Sequence, residues 1–324
     1  MALEEELEAD IRLLQGQAAR DLNDVDRALT SYDEALAALL RLAQRIASVH
    51  FQKGQLYLRT GDIATARNEA RLAEYDTLRL QGLIEYVLGN HEEARLLVQK
   101  SLQIAQDAED GRRIAQAHHL LMMIAARLRD SAETHRHAKE AMAYYEQIQD
   151  QPMLEGLRAE YAGSLLAAGE YDAVIQESSK ALAYFELIQH QRWVSALCNN
   201  LAEAYHETGQ YENAKAFAER ALEQRIPRGA PYALFHLGRY QLVREEAEKA
   251  VALFNDGIER ARANDDRFIL AYLEREAGVA WRRAGSASTG RPHLLNAATL
   301  FRAMNDTHEL EVTIALLGPE NDLQ

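Results

Sequence analysis

The chain repeats itself, and the repeat limits what it can fold into. A small residue is followed twelve positions later by an alanine. The clean copies are Gly16/Ala28, Gly54/Ala66, Gly82/Ala94, Ala202/Ala214 and Gly238/Ala250. A turn residue falls seven positions after the small one, at Asn23, Gly61, Gly89, Gly169, Gly209 and Gly285. With the small residue as anchor, eight copies align at Gly16, Gly54, Gly82, Met122, Ala162, Ala202, Gly238 and Gly278, most of them 40 apart. A period of this length belongs to stacked helix pairs, each burying its apolar face against its neighbours. The functional question is therefore which partner, before which reaction.

Each copy carries the same physics. The anchor sits where a first helix crosses its partner, and a small side chain lets the backbones approach. The turn residue ends the first helix in a left-handed conformation, which glycine adopts without steric cost. The alanine twelve on faces back to the anchor. A second small residue seven later (Ala35, Ala73, Ser101, Ala141, Ala181, Ala221) meets the next repeat. Two copies depart. The 28-residue step from Gly54 to Gly82 predicts a clipped second helix between Asp62 and Asp76. In the last copy, Ser-Ala-Ser-Thr-Gly-Arg-Pro after Gly285 reads as a loop insertion over about 286–292, with the expected alanine displaced to Ala297. The division that follows is a repeat array over 1–306 and a capping helix and tail over 307–324, the helix at Thr307–Leu317.

Composition agrees with an all-α chain. Alanine, leucine, glutamate and arginine dominate, and all are good helix formers. The formal net charge of −14 argues against nucleic acid and anionic membrane as partners. One cysteine, Cys198, excludes an internal disulfide framework and suits a reducing compartment. No apolar run reaches the roughly 18 residues of a membrane span. The acidic start, Met-Ala-Leu-Glu-Glu-Glu-Leu-Glu, is unlike a signal peptide. The expected location is the cytoplasm.

Gly-Gln-Tyr-Glu-Asn-Ala (209–214), Gly-Asn-His-Glu-Glu-Ala (89–94) and Gly-Glu-Tyr-Asp (169–172) resemble the turn and second-helix start of the tetratricopeptide repeat. Leu201-Ala202-Glu203-Ala204-Tyr205 resembles its first-helix core. The resemblance implies a right-handed α-α superhelix of about eight helix pairs. The long period is similar to the sensor repeats of maltose-activator-type signal-transduction ATPases, to kinesin light chains and to Gram-positive peptide-pheromone receptors. In those families the repeats sense a ligand or grip a partner. The expectation is a non-catalytic binding module, the sensor or partner-recognition region of a bacterial signalling protein.

The sequence offers little chemistry of its own. Gly285 to Pro292 approaches a phosphate loop, but arginine replaces the lysine and proline the Ser/Thr that would hold magnesium. His118, His119, His135 and His137 crowd one repeat, yet neither adjacent residues nor residues two apart share a helix face. A metal site would need one histidine from each helix. No catalytic residue, cofactor or metal is expected.

The resemblance places positions −6, −3, +1, +4 and +5 from each anchor on the concave face. They collect eight arginines (Arg20, Arg59, Arg79, Arg127, Arg239, Arg275, Arg282, Arg283) against five acids (Asp10, Asp21, Asp76, Glu203, Glu207). That balance favours an acidic peptide, a carboxylate or a phosphate. The fifth copy presents Gly156, Ala159, Gly163, Leu166 and Ala167, so the groove should be widest there. His119, Met123 and Arg127 flank it on one side, Asn199, Glu203 and His206 on the other. Asn200, two before its anchor, matches the asparagine that clamps peptide backbone in related repeats. The lysine and arginine partners of a carboxylate clamp are replaced by Ala159, Gly163, Tyr232 and His236. The expected binding set is Arg127, Met123, His119, Ala159, Gly163, Asn199, Asn200, Glu203, His206, Arg239, Arg275 and Arg282. The expected partner is a protein, a peptide or a small anionic ligand, with a homo-oligomer allowed. The alternative is an assembly scaffold or accessory subunit without a small ligand.

Overall fold

The structure, a computed structural model, describes residues 62–318 together with Glu34, Val49, Gln52, Lys53, Gln55 and Leu56. The anchors Gly16 and Gly54, the turn residues Asn23 and Gly61, and Asp10, Arg20, Asp21 and Arg59 lie outside the described residues. The described chain is all-α, with no strand. Its helices are α1 (Ile63–Leu88), α2 (His91–Asp107), α3 (Gly111–Arg127), α4 (Ser131–Gln147), α5 (Gln151–Ala167), α6 (Tyr171–Leu187) and α7 (Gln191–Glu207). They continue as α8 (Tyr211–Glu223), α9 (Ala230–Val243), α10 (Ala247–Ala263), α11 (Arg267–Arg283), α12 (Ala287–Ala303) and α13 (Thr307–Leu317). The chain forms two compact units that divide at Ser164/Leu165, within α5. In unit 1, α1 to α4 pack consecutively, and α1 also touches α3. In unit 2, α6 to α13 pack consecutively, α7 touches α9, and α9 touches α11.

Most helices are 17 residues long and joined by three-residue connectors, which sets the 40-residue period. One residue of each connector has a positive φ, the middle one where the connector has three residues. Glycine supplies it at Gly89, Gly169, Gly209 and Gly285, as the sequence predicts. Eight more turns use the same conformation without glycine: Glu109, Arg129, Gln149, Gln189, Arg225, Glu245, Asp265 and Asn305, at φ 52–60°. Each carries a cost of roughly 1 kcal/mol, offset by the packing of the helices it joins. Aspartates then start the next helix: Asp62, Asp110, Asp130, Asp266 and Asp306 each accept from the backbone N–H three residues on. The 36-residue step before Gly238 has its cause in α8 and α9, shortened to 13 and 14 residues.

Anchors are buried, and their partners lie sixteen residues on. A Cβ built on Gly82 would stand 2.4 Å from Val98 Cγ2, one on Gly238 2.3 Å from Phe254 Cε1, and one on Gly278 2.6 Å from Leu294 Cγ. Where the anchor is larger the partner shrinks: Met122 shares a core cluster with Ala138, and Ala202 with Ala218. At each of these crossings at least one of the two side chains is small, which lets the helices pack closely. The residue twelve on approaches with its backbone: Ala94 O lies 3.2 Å from the Cβ position of Gly82, and Gly290 O 2.9 Å from that of Gly278.

Two expectations are corrected. Asp62 to Leu88 holds no clipped helix. After the Asp62 cap, α1 runs unbroken for 26 residues, because no turn residue interrupts its Ala-, Leu-, Arg- and Glu-rich sequence. The loop insertion at 286–292 is absent: α12 covers Ala287–Ala303 with Pro292 inside it. Gly290 stands in the alanine's register, twelve after Gly278. A Cβ there would meet the Gly278 carbonyl oxygen at 2.6 Å, so this glycine serves a close helix contact rather than a turn.

Candidate functional site

In unit 1, α3 carries His119, Met123 and Arg127 at four-residue spacing, on one side of the helix. His119 Nε2 lies 2.9 Å from Glu160 Oε2 on α5, and its ring meets Tyr145 edge-on at 6.2 Å. Met123 is half-buried between two core clusters. Arg127 is exposed and its Nε donates to the Tyr86 hydroxyl over 3.3 Å. On α5, Gly163 is exposed, Gly156 half-buried and Ala159 buried, so Ala159 belongs to the packed interior. Among the described residues, a Cβ built on Gly156 or Gly163 meets nothing within 4 Å. Packing therefore does not demand glycine at either place. Among the described residues, Arg79 Nε and the hydroxyl of the fully buried Tyr145 are buried without a hydrogen-bond partner.

In unit 2 the predicted residues are brought together around one arginine. Arg239 Nη1 donates to both oxygens of Glu203 at 2.9 Å, and Nη2 to Glu207. Phe235 supports the guanidinium from below at 5.4 Å, and His236 Nδ1 stands 3.2 Å from Glu203 Oε2. Burial raises the Glu203 carboxyl, but the His236 contact and the Arg239 charge outweigh it and hold the group at about 2. Burial, aided by Arg239, pushes the His206 imidazole down to about 4, so it is neutral beside this charged set. Asn199 donates to Gly229 O over 3.2 Å and ties α7 to the start of α9. Asn200 is half-buried, and among the described residues no hydrogen bond holds its side chain.

The other predicted arginines of unit 2 are also engaged. Arg275 pairs with Glu309 and with Glu276 at 3.3 Å, between the rings of Tyr272 and Phe301. Arg282 donates to Leu316 O and Arg291 to Leu317 O, capping the end of α13. Arg283 donates to Leu242 O near the end of α9. The surplus of positive charge counted along the sequence is thus taken up locally in this unit. Sequence reading missed Glu160 and Tyr145, which lie off the chosen offsets. A search for acids two positions before an anchor would have found Glu160.

Among the described residues no group of three His, Cys, Asp or Glu side chains is placed to hold a metal ion, and no helix is long and apolar enough to cross a membrane. Cys198 is fully buried, and burial pushes its thiol up to about 11.

The sequence model of the tetratricopeptide repeat matches residues 195–225, which hold most of α7 and all of α8. The fold is that of the tetratricopeptide-repeat proteins. No curated protein sequence matches the chain. Among solved structures, the chain is similar to the quorum sensor NprR from B. thuringiensis in its apo form, at 15% identity and a TM-score of 0.62, over 97% of this chain and 93% of that one. It is similar to NprR in complex with its cognate peptide NprX, at 13% identity and 0.50, over 95% and 98%. It also resembles a signal-transduction ATPase with numerous domains and a tetratricopeptide repeat sensor from Pyrococcus horikoshii, at 17% identity and 0.61. That match covers 95% of this chain and 50% of the ATPase.

Proposed function

We propose that this tetratricopeptide-repeat chain is a non-catalytic binding module, the sensor or partner-recognition region of a cytoplasmic bacterial signalling protein. It takes a peptide or protein segment onto the first-helix face of unit 1, along α5. The observation that carries this reading is the empty space over Gly156 and Gly163. A mid-helix glycine costs roughly 0.5–1 kcal/mol relative to alanine, and here no close helix contact repays it. Keeping the surface clear for an occupant does. The likeness of the fold to NprR, a quorum sensor solved with its cognate peptide, supports the same reading.

The occupant's chemistry follows from which arginines are uncommitted. Arg239 and Arg275 of unit 2 have carboxylate partners, and Arg282 caps a helix. Arg79 and Arg127 of unit 1 have no carboxylate partner among the described residues. An acidic side chain or terminal carboxylate would therefore dock on unit 1, since guanidinium and carboxylate form the stronger, charge-assisted hydrogen bonds. The test passes a mixed pentapeptide library, half free acids and half amides, over the immobilised chain and its Gly163→Arg variant. Retention by the wild type alone, with free acids enriched about tenfold, is expected. Equal retention by both proteins, or none by either, overturns the assignment of this face.

Val312 and Ile314 on α13, 38% and 48% exposed, favour a second reading, assembly through the end of unit 2. A monomeric mass at every concentration in native mass spectrometry would end it.

A further inference from the structure

Two histidines stitch α3 to α4 in unit 1. His118 and His137 are 4% and 3% exposed, and their Nδ1 atoms are 2.8 Å apart. A bond between two imidazole nitrogens needs one proton and one lone pair. The surroundings fix which ring supplies which. Arg136 Nη2 lies 2.8 Å from His137 Nε2, and a guanidinium can only donate. His137 therefore keeps its lone pair on Nε2 and its proton on Nδ1. It donates that proton to His118 Nδ1, and the proton of His118 sits on Nε2.

Neither ring can be charged without losing a contact. A second proton on His118 would go to Nδ1 and face the shared N–H at 2.8 Å. A second proton on His137 would go to Nε2 and face the Arg136 N–H at 2.8 Å. The charged groups that act on the rings lie on α4 or at its N-cap: Asp130, Glu133, Arg136 and Glu140. Glu133 Oε2 is 3.4 Å from His137 Nε2, but Arg136 already binds this carboxylate and Arg95 of α2 also acts on it. Tyr144, stacked on His118 at 6.5 Å, is uncharged. Burial and then the Arg136 charge push His137 down to about 4, and burial lowers His118 as well.

The same register in unit 2 is occupied differently. Glu274 and His293, like His118 and His137, stand four before and fifteen after their anchor, with His293 Nδ1 2.6 Å from Glu274 Oε2. Arg262 also donates to Glu274, over 2.7 Å. A carboxylate there welcomes a charged imidazole; a second imidazole does not.

We infer that the α3–α4 seam of unit 1 is an acid-released latch, closed while two neutral rings share one proton and opened when either takes up another. Its release reaches the first-helix face, because His119 is the next residue on α3 and holds Glu160. The latch stands whether or not that face takes a peptide.

The test is a pH titration of the full chain with 15N-labelled histidine, read by NMR together with amide hydrogen exchange. At pH 7.5 the protons are expected on His137 Nδ1 and His118 Nε2. Both rings should stay neutral to well below pH 6.5, and protection of α3 and α4 should fall as they charge, before that of α11 and α12. His118→Glu, which copies Glu274, should move that loss of protection down by about one pH unit or more. Swapped tautomers, titration of His137 near 6.5, or unchanged α3–α4 protection once both rings are charged would each overturn the latch. The wild-type titration decides the matter if the variant does not fold.

Discussion

Units 1 and 2 are built from the same helix pairs but engage the arginines of the expected binding face differently. In unit 2, Glu203 and Glu207 hold Arg239, and Glu309 holds Arg275. Among the described residues, Arg79 and Arg127 of unit 1 have no carboxylate partner, the Tyr145 hydroxyl has no hydrogen bond, and nothing lies over two glycines. The buried inter-helix pair differs in the same sense, ionisable partners in unit 2 and two neutral imidazoles in unit 1. An arginine held by carboxylates supports the fold, whereas one without a carboxylate keeps its charge for a further contact.

The contrast can be broken at several points. The largest effect should come from acid. His137 is held at about 4 against an ordinary 6.5. The folded state therefore binds fewer protons than the unfolded one, and stability is lost as pH falls from 6.5 towards 4, then levels. The loss from this group is about 3 kcal/mol, measurable by urea denaturation at each pH. His206 of unit 2, also held at about 4, adds a loss of the same sign, so a flat profile through this window would refute the burial of both neutral imidazoles. Next, Arg239→Ala strands two carboxylates in unit 2 and should cost about 2 kcal/mol, less than a fully buried pair because the cluster is partly solvated. Arg79→Gln in unit 1 should change stability by no more than about 0.5 kcal/mol. Equal losses would mean that Arg79 is structural.

The glycines sharpen the comparison further. Gly238→Ala drives a methyl against the Phe254 ring and should cost about 1.5 kcal/mol. Gly163→Ala fills open space and should raise stability by about 0.7 kcal/mol, while weakening peptide retention. If Gly163→Ala destabilises instead, this glycine serves packing and the proposed face loses its main support.

Much of this architecture was legible in the chain. The anchors Gly82, Met122, Ala162, Ala202, Gly238 and Gly278 are all buried, and Gly89, Gly169, Gly209 and Gly285 all sit in left-handed turns. Arg129 takes the same conformation as those glycines but carries no mark of it, because the helices it joins impose it. Gly290 and Pro292 misled for the opposite reason. Breaker residues were read as a loop where a close backbone contact needed glycine and the helix absorbed one missing N–H.

The candidate site was legible only as a set of positions. The offsets found Arg239, Glu203 and His206, which do cluster. They did not tell that Arg239 was spent on Glu203 and Glu207, nor that His118 would meet His137.

The sequence by itself determined the period, the helical class, most anchors and the glycine turns, because these depend on local backbone preference and on spacing along one helix. Tertiary structure decided the partner of each anchor, the turns without glycine, which arginines remained uncommitted and which histidines came to share a proton. Each of those depends on side chains from different helices meeting, where the volume and charge on one helix set what the other can carry.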